Sequence, residues 1–356
     1  MSCVGVEERP SGAGRRVGEE LTHTISPPPP PPPLPSSDPL AWAPHHLGFW
    51  PLANLPFDRQ ENMPLEETAW DLLIIAAIAQ RQGGDLTWLE PYWPAIQTWY
   101  SFLVNLLPFP QEQLSTDDFD GPLYNATNLA VKGVAAVAAY GYILEKYTGN
   151  ASAAADCYAL AASYSKTMVE YSWLANGTQS HFMIGYKDSK SDGGVPESWP
   201  MLYNALWLRL LGFDGLVPQE LLDTQRDWYA ANKMQQYGLP LNSRKLYTKD
   251  DWMTFLSATY YTHGPAPQPS SFSTALFDGL FRFANETTSR EALSDWTNTD
   301  SPTAVGFTNR PVYGAMYAPV LVVEAQQLGL RPEGDASLQA ARRIFAEAWA
   351  GWTMPT

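Results

Sequence analysis

The chain has 356 residues, 37 acidic against 22 basic side chains and a formal charge of −15. That balance excludes the basic footprint of a nucleic-acid binder and disfavours docking on an anionic membrane surface. Hydrophobic residues make up 45% of the chain and charged residues 17%, enough apolar side chain to bury a sizeable core.

Residues 1–41 are low in complexity and carry the proline run Pro27 to Pro33, so a disordered or polyproline II segment is expected there. The expected globular domain covers 42–356. Met1 to Gly18 contains Glu7, Glu8, Arg9, Arg15 and Arg16 and no apolar stretch, so no signal peptide is visible. The longest apolar run, Leu72 to Ala79, ends after eight residues at Gln80, against the roughly 20 that cross a bilayer. A soluble protein is expected.

From Met63 onward apolar residues recur at spacings of three and four, which predicts helices over 64–81, 89–107, 125–147, 151–175, 199–211, 218–235, 249–262, 271–285, 312–328 and 335–350. Pro64 with Glu66 and Glu67, Pro218 with Glu220, and Asp335 before Ala336 mark helix starts. One short strand is predicted, over 180–187. Ten helices in series, several apolar on more than one face, predict stacked helical hairpins: an all-α domain, an α/α toroid rather than a four-helix bundle. No fixed-period repeat marks a regular solenoid.

Two cysteines, Cys3 and Cys157, support neither a disulfide framework nor a cysteine-rich zinc site, and Cys157 reads as a buried free thiol. Five scattered histidines, with only His45 and His46 adjacent, make a histidine-based triad or zinc site unexpected. No metal or cofactor is expected. G-x-S-x-G, H-E-x-x-H, P-loop and G-x-G-x-x-G signatures are missing.

Carboxylates and tryptophans cluster between helices. Glu66 and Glu67 stand at a helix mouth, where they either complement the dipole or work as acid and base. Asp117, Asp118 and Asp120 fall within four loop positions, and mutual repulsion is expected to keep a proton on one of them. Asn128 and Lys132 lie four apart and share a helix face, able to present an amide and an ammonium to one ligand or carboxylate. Trp199 and Asn204 follow Glu197. Arg244, Lys249 and Trp252 concentrate scarce cations beside aromatic rings, as an anion or polar-ligand site requires. Asp295, Trp296 and Arg310 form the last cluster. Ser115, Thr116, Ser198 and Ser243 are alternative nucleophiles without an evident histidine base.

Taken together, Ala43-Pro44-His45-His46-Leu47-Gly48, Met63-Pro64-Leu65-Glu66-Glu67, Ser115-Thr116-Asp117-Asp118-Phe119, Asn128-Leu129-Ala130-Val131-Lys132-Gly133, Tyr237 to Arg244 with Tyr247-Thr248-Lys249, and Gly306-Phe307 with Arg310-Pro311-Val312 resemble the secreted fungal glutaminase A family over residues 43–323. The resemblance implies a helical domain of the six-hairpin glycosidase type, preceded in complete members by a β-rich domain and a signal peptide, and hydrolysis of L-glutamine to glutamate and ammonia. Departures are Tyr124 where the family often has His, Asn242 where Asp is common, and His46 where Asp is usual. The β-rich domain and the opening helices of the ring have no counterpart here. Ten helices where a closed ring wants twelve therefore imply an incomplete, open toroid.

The expected activity is a glutaminase-like amidohydrolysis of a small polar substrate. Glu66, Glu67, Asp117 and Asp118 are its candidate catalytic groups, and Asn128, Lys132, Trp199, Asn204, Arg244, Lys249, Trp252, Asp295, Trp296 and Arg310 its candidate binding groups. A glycoside hydrolase is the alternative, since an inverting enzyme also needs two carboxylates, roughly 6.5–9.5 Å apart, and an inactive fragment is the third reading. Sequons at Asn125, Asn150, Asn176 and Asn285, together with the resemblance, lead to an extracellular glycoprotein as the expectation.

Overall fold

The alanine-rich stretch between Thr127 and Thr148 becomes the central helix of the domain, with its residues buried along almost the whole length. It is long and apolar enough to cross a membrane, yet 94% of its most apolar window is covered by other parts of the protein. The computed structural model describes residues 41–355, except 50, 53, 57–58, 84–85, 189–193, 265, 290–292 and 328–333. The proline-rich segment lies outside the described residues.

Among the described residues there are ten α-helices, in chain order α1 (Pro64–Gln82), α2 (Trp93–Leu106), α3 (Thr127–Thr148), α4 (Ala151–Ser172), α5 (Leu206–Leu210), α6 (Gln219–Asn232), α7 (Asp250–Thr259), α8 (Ser271–Glu286), α9 (Ala318–Gln327) and α10 (Ala336–Ala348). All ten coincide with predicted helices. The main shortfall is α5: Tyr203–Ala205 is a 3-10 turn and the α-helix that follows has five residues. Pro91 likewise confines Thr87–Tyr92 to a 3-10 turn ahead of α2.

Local chemistry explains the boundaries. Pro64 occupies the first turn of α1 and a left-handed Gly83 closes it. A left-handed Gly149 ends α3, and Asn150 caps α4 by accepting from Ala153 N at 3.0 Å. Asp335 caps α10 through Ser337 N at 2.9 Å, while Lys146 reaches the same carboxylate from the end of α3. Helix α3 packs against α1 and α4, α4 against α10, and α7 against α8, so neighbouring helices stack as hairpins around a shared core. Cys157 is buried in α4, and its thiol donates to Tyr100 Oη at 3.3 Å.

The sheet content differs from expectation. Within 180–187 only His181–Phe182 (β4) is strand, paired antiparallel with Trp173–Leu174 (β3). Glu112–Gln113 (β1) pairs with Leu123–Tyr124 (β2). An unanticipated antiparallel sheet joins Tyr247–Lys249 (β5), Ser294–Asn298 (β6) and Ala304–Thr308 (β7), with an irregularity at Trp296/Thr297. This sheet carries Lys249, Asp295 and Phe307 toward one end of the helices.

The turn leading to β5 is clamped by two glycines. A Cβ on Gly279 of α8 would lie 2.7 Å from Gly238 N, and Gly238 itself has φ +116°. Gly279→Ala gains helix propensity but drives a methyl group into backbone. The expected net effect is a loss of about 1–3 kcal/mol of unfolding free energy, read as a lowered urea midpoint.

Candidate active site

Glu66 lies in the first turn of α1, where its carboxylate is 2% exposed. Lys132, on the buried face of α3 and 1% exposed, donates to Glu66 Oε1 and stands 4.1 Å over the Trp70 ring. Thr116 Oγ1 donates to the same oxygen, whereas Glu66 Oε2 is buried with no hydrogen-bond partner. Two buried opposite charges need each other, because either one alone would face a desolvation cost of several kcal/mol.

The loop bearing Thr116 is laced to the start of α1. Leu114 N donates to Asn62 O at 2.8 Å, and Leu65 N donates to Gln113 Oε1 at 2.9 Å. Along the loop the residues alternate: Thr116 and Asp118 are exposed, while Asp117 is buried. Asp117 accepts from Tyr203 Oη and from Trp252 Nε1, both at 2.8 Å. Asp120 is the second anchor and accepts from Asn242, Arg244 and Tyr247. Burial pushes the Asp117 carboxyl up to about 7, against the two bonds that favour its ionised form. The cause is therefore desolvation, with Asp251 adding repulsion, and not the crowding with Asp118 and Asp120 that the spacing led one to expect.

Across from this loop, Lys249 on β5 bonds Asp251 at 2.8 Å and also Asp295 on β6. Arg310 grips Asp295 from outside, through Nη2 at 2.6 Å and Nε at 3.2 Å. Burial opposes the Asp295 charge, but the bonds from Arg310 and Lys249 outweigh it and hold the carboxyl below its usual range. Burial raises the Asp251 carboxyl, with Lys249 opposing. Asp250, facing away toward Thr297 at 2.9 Å and Tyr313 at 3.1 Å, is pushed by burial up to about 7. Phe307 adopts φ +54°, a strained backbone for a bulky side chain. Its ring meets Phe119, Trp296 and, at 4.0 Å, the Arg310 guanidinium.

One cleft of about 340 Å³ is shared by Glu66, Glu67, Asp118, Lys249, Trp252 and Arg310 together with His45, Trp70, Thr116, Asp251, Phe307 and Val312. His45 Nδ1 lies 2.6 Å from Glu67 Oε1. Burial disfavours the His45 cation, yet its bond to Glu67 and the nearby carboxylates raise its pKa. Burial likewise raises Glu67, opposed by His45. His45, Trp70 and Asp251 join the cleft without having been expected there from sequence. The available signals were the His45 motif, the Glu66–Trp70 spacing of one helical turn, and the Lys249-Asp250-Asp251 run. Among the described residues no group of three or more His, Cys, Asp or Glu is arranged to hold a metal ion.

Other predicted site residues lie elsewhere. Arg244, Asn128 and Asp117 line a much smaller, separate hollow beside Tyr203, which stacks on Trp252. Arg244 is committed to Asp120, so it is not among the cations of the larger cleft. Asn128 and Lys132 share a face but not a partner, since Asn128 Oδ1 accepts from Asn204 N at 3.2 Å. The Asn204 side chain bonds back to Asn128 O at 3.0 Å. Trp199 packs against Trp228 and Tyr229 in the core. Trp296 stands behind Phe307 and Phe119, outside the cleft lining.

The family model of the glutaminase A six helical-hairpin domain matches residues 36–320. The chain belongs to the glutaminase A family. It is 31% identical over 285 residues to a protein named glutaminase A from Aspergillus oryzae, covering 79% of this chain and 39% of that relative. A protein named as a probable glutaminase from Arthroderma benhamiae is 28% identical over 264 residues, covering 65% of this chain and 28% of the relative. The chain thus spans well under half the length of these fungal relatives. Two residues that depart from the glutaminase A pattern make bonds of their own. His46 Nδ1 accepts from Gly48 N at 2.9 Å, and the Asn242 amide donates to Asp120.

Lys132→Met leaves the Glu66 carboxylate buried without its counter-charge. The expected loss is about 3–5 kcal/mol of stability, measured by thermal or urea unfolding. A pH dependence follows as well. Asp117 and Asp250, ordinarily near 3.8, hold protons up to about 7 in the folded state, so the folded chain binds more protons than the unfolded one across that window. The contribution of these two carboxyls to unfolding free energy should be largest below their unfolded pKa and be lost as pH rises through about 7, with the raised His45 acting in the same direction and the lowered Asp295 opposing it only at acid pH. Urea midpoints across that range check this, and Asp117→Asn should flatten the curve.

Proposed function

We propose that this domain hydrolyses the side-chain amide of L-glutamine to L-glutamate and ammonia. The observation that carries the reading is the buried Glu66 carboxylate, one oxygen held by Lys132 and Thr116 and the other unpartnered, in a cleft that also holds Arg310. A fixed carboxylate beside the reacting carbonyl can take a proton from the attacking oxygen and return one to the leaving nitrogen. The half-exposed Arg310 guanidinium holds the substrate α-carboxylate, and Asp118 and Asp251 attract its α-ammonium. Trp70, Trp252 and Phe307 form apolar walls along the substrate. The names of the fungal relatives support the same chemistry.

Secretion and glycosylation form part of this proposal. Asn150, Asn176 and Asn285 are exposed, whereas Asn125 is 2% exposed and its side chain accepts from Gln111 N at 2.9 Å. Glycans would therefore attach at the first three.

Ammonia release from glutamine, run beside a panel of aryl glycosides, tests the activity. Glutamine should be turned over, with Glu66→Gln lowering kcat about 10²-fold or more and Arg310→Met raising KM about tenfold or more. Glycoside cleavage without ammonia release would assign the cleft to the other chemistry of such helical scaffolds.

A further inference from the structure

We propose that Thr116 is the nucleophile of this site and that the reaction passes through a glutamyl ester on its hydroxyl. The inference rests on the amidohydrolase reading above and adds the covalent step. Three observations converge on Thr116. Thr116 is exposed and lines the cleft, its hydroxyl donates directly to Glu66 Oε1, and that carboxylate is oriented in turn by Lys132. A nucleophile, a base within hydrogen-bond reach and a third group fixing the base form the arrangement that activates a hydroxyl, with a carboxylate here taking the place of an imidazole.

The other candidate hydroxyls lack this environment. Ser115 Oγ accepts from Asp117 N at 3.3 Å, Ser243 Oγ accepts from Trp199 N at 3.2 Å, and Ser198 Oγ accepts from Ile184 N at 3.3 Å. None of the three lines the cleft. Thr116 is also held in place, because the next residue, Asp117, is buried under bonds from Tyr203 and Trp252. The hydroxyl is thus presented from a braced segment and not from a free loop tip.

In the first half-reaction Thr116 Oγ1 bonds to the carboxamide carbon and its proton passes to Glu66. The C–N bond breaks, and the same proton leaves with the nitrogen as ammonia. In the second, water adds to the ester carbon and gives a proton to Glu66. The carbon–Oγ1 bond breaks, Glu66 returns the proton to Thr116, and glutamate departs. Atoms and protons balance with no further reagent.

The test uses the full chain with L-glutamine, with and without hydroxylamine, following ammonia, glutamate and γ-glutamyl hydroxamate. Acid-quenched samples are digested for mass spectrometry of the peptide bearing Thr116. The expected result is hydroxamate formed at the expense of glutamate, and a glutamyl increment on that peptide. Thr116→Ser should keep both signals, and Thr116→Ala should stay folded yet lose ammonia release about 10³-fold or more. Ammonia release that survives Thr116→Ala, or that is lost there while the unaltered chain yields neither hydroxamate nor adduct, overturns the nucleophile and leaves amide hydrolysis standing. An unaltered chain that releases no ammonia overturns both.

Discussion

The buried pair of Lys132 and Glu66 governs how the candidate site is assembled. One charge comes from the middle of an apolar core helix and the other from the first turn of its neighbour. Neither can turn toward water without leaving the other stranded in a low-dielectric interior. The pair therefore fixes the register of α1 against α3 and aims a carboxylate at the cleft edge at the same time. A hydrophobic pair of equal volume could hold the helices together, but it would leave Thr116 without an acceptor.

Two further acidic anchors extend this principle to a segment with little regular structure. Asp117 lies inward under two donors and Asp120 under three, while Thr116 and Asp118 turn outward. The opposite rim is built by a small sheet, whose pairing sets Lys249 beside Trp296 across β5 and β6 and whose buried acid, Asp295, collects Lys249 and Arg310. Helices thus provide the base of the cleft, and short strands and turns provide its charged rim.

This division explains what was legible in the sequence. Helical periodicity runs over many residues, so all ten helices could be located, eight of them within a few positions of their ends, whereas α5 and α9 begin six or seven residues later than read because 3-10 turns precede them. The sheet could not, because strands of three to five residues such as Ser294–Asn298 carry too short an alternation. Clustering of carboxylates and cations located the cleft segments. It could not separate a carboxylate that faces solvent from one that braces a loop: Asp117 and Asp118 are adjacent in sequence and opposite in environment. Arg244 shows the same limit, since the acceptor that engages it lies 124 positions away. His45 was given no role because its partner Glu67 is 22 residues distant and belongs to another element.

The bonding around Asp120 also constrains how the sequence can diverge. Asn242, Arg244 and Tyr247 all converge on that one carboxylate, so losing the acid would orphan three donors together. Conversely, an acid at 242 would confront Asp120 at hydrogen-bond distance and would need a shared proton or a rotated neighbour. Positions 120, 242, 244 and 247 should therefore co-vary across homologues, drifting as a linked set while the surface residues around them change independently.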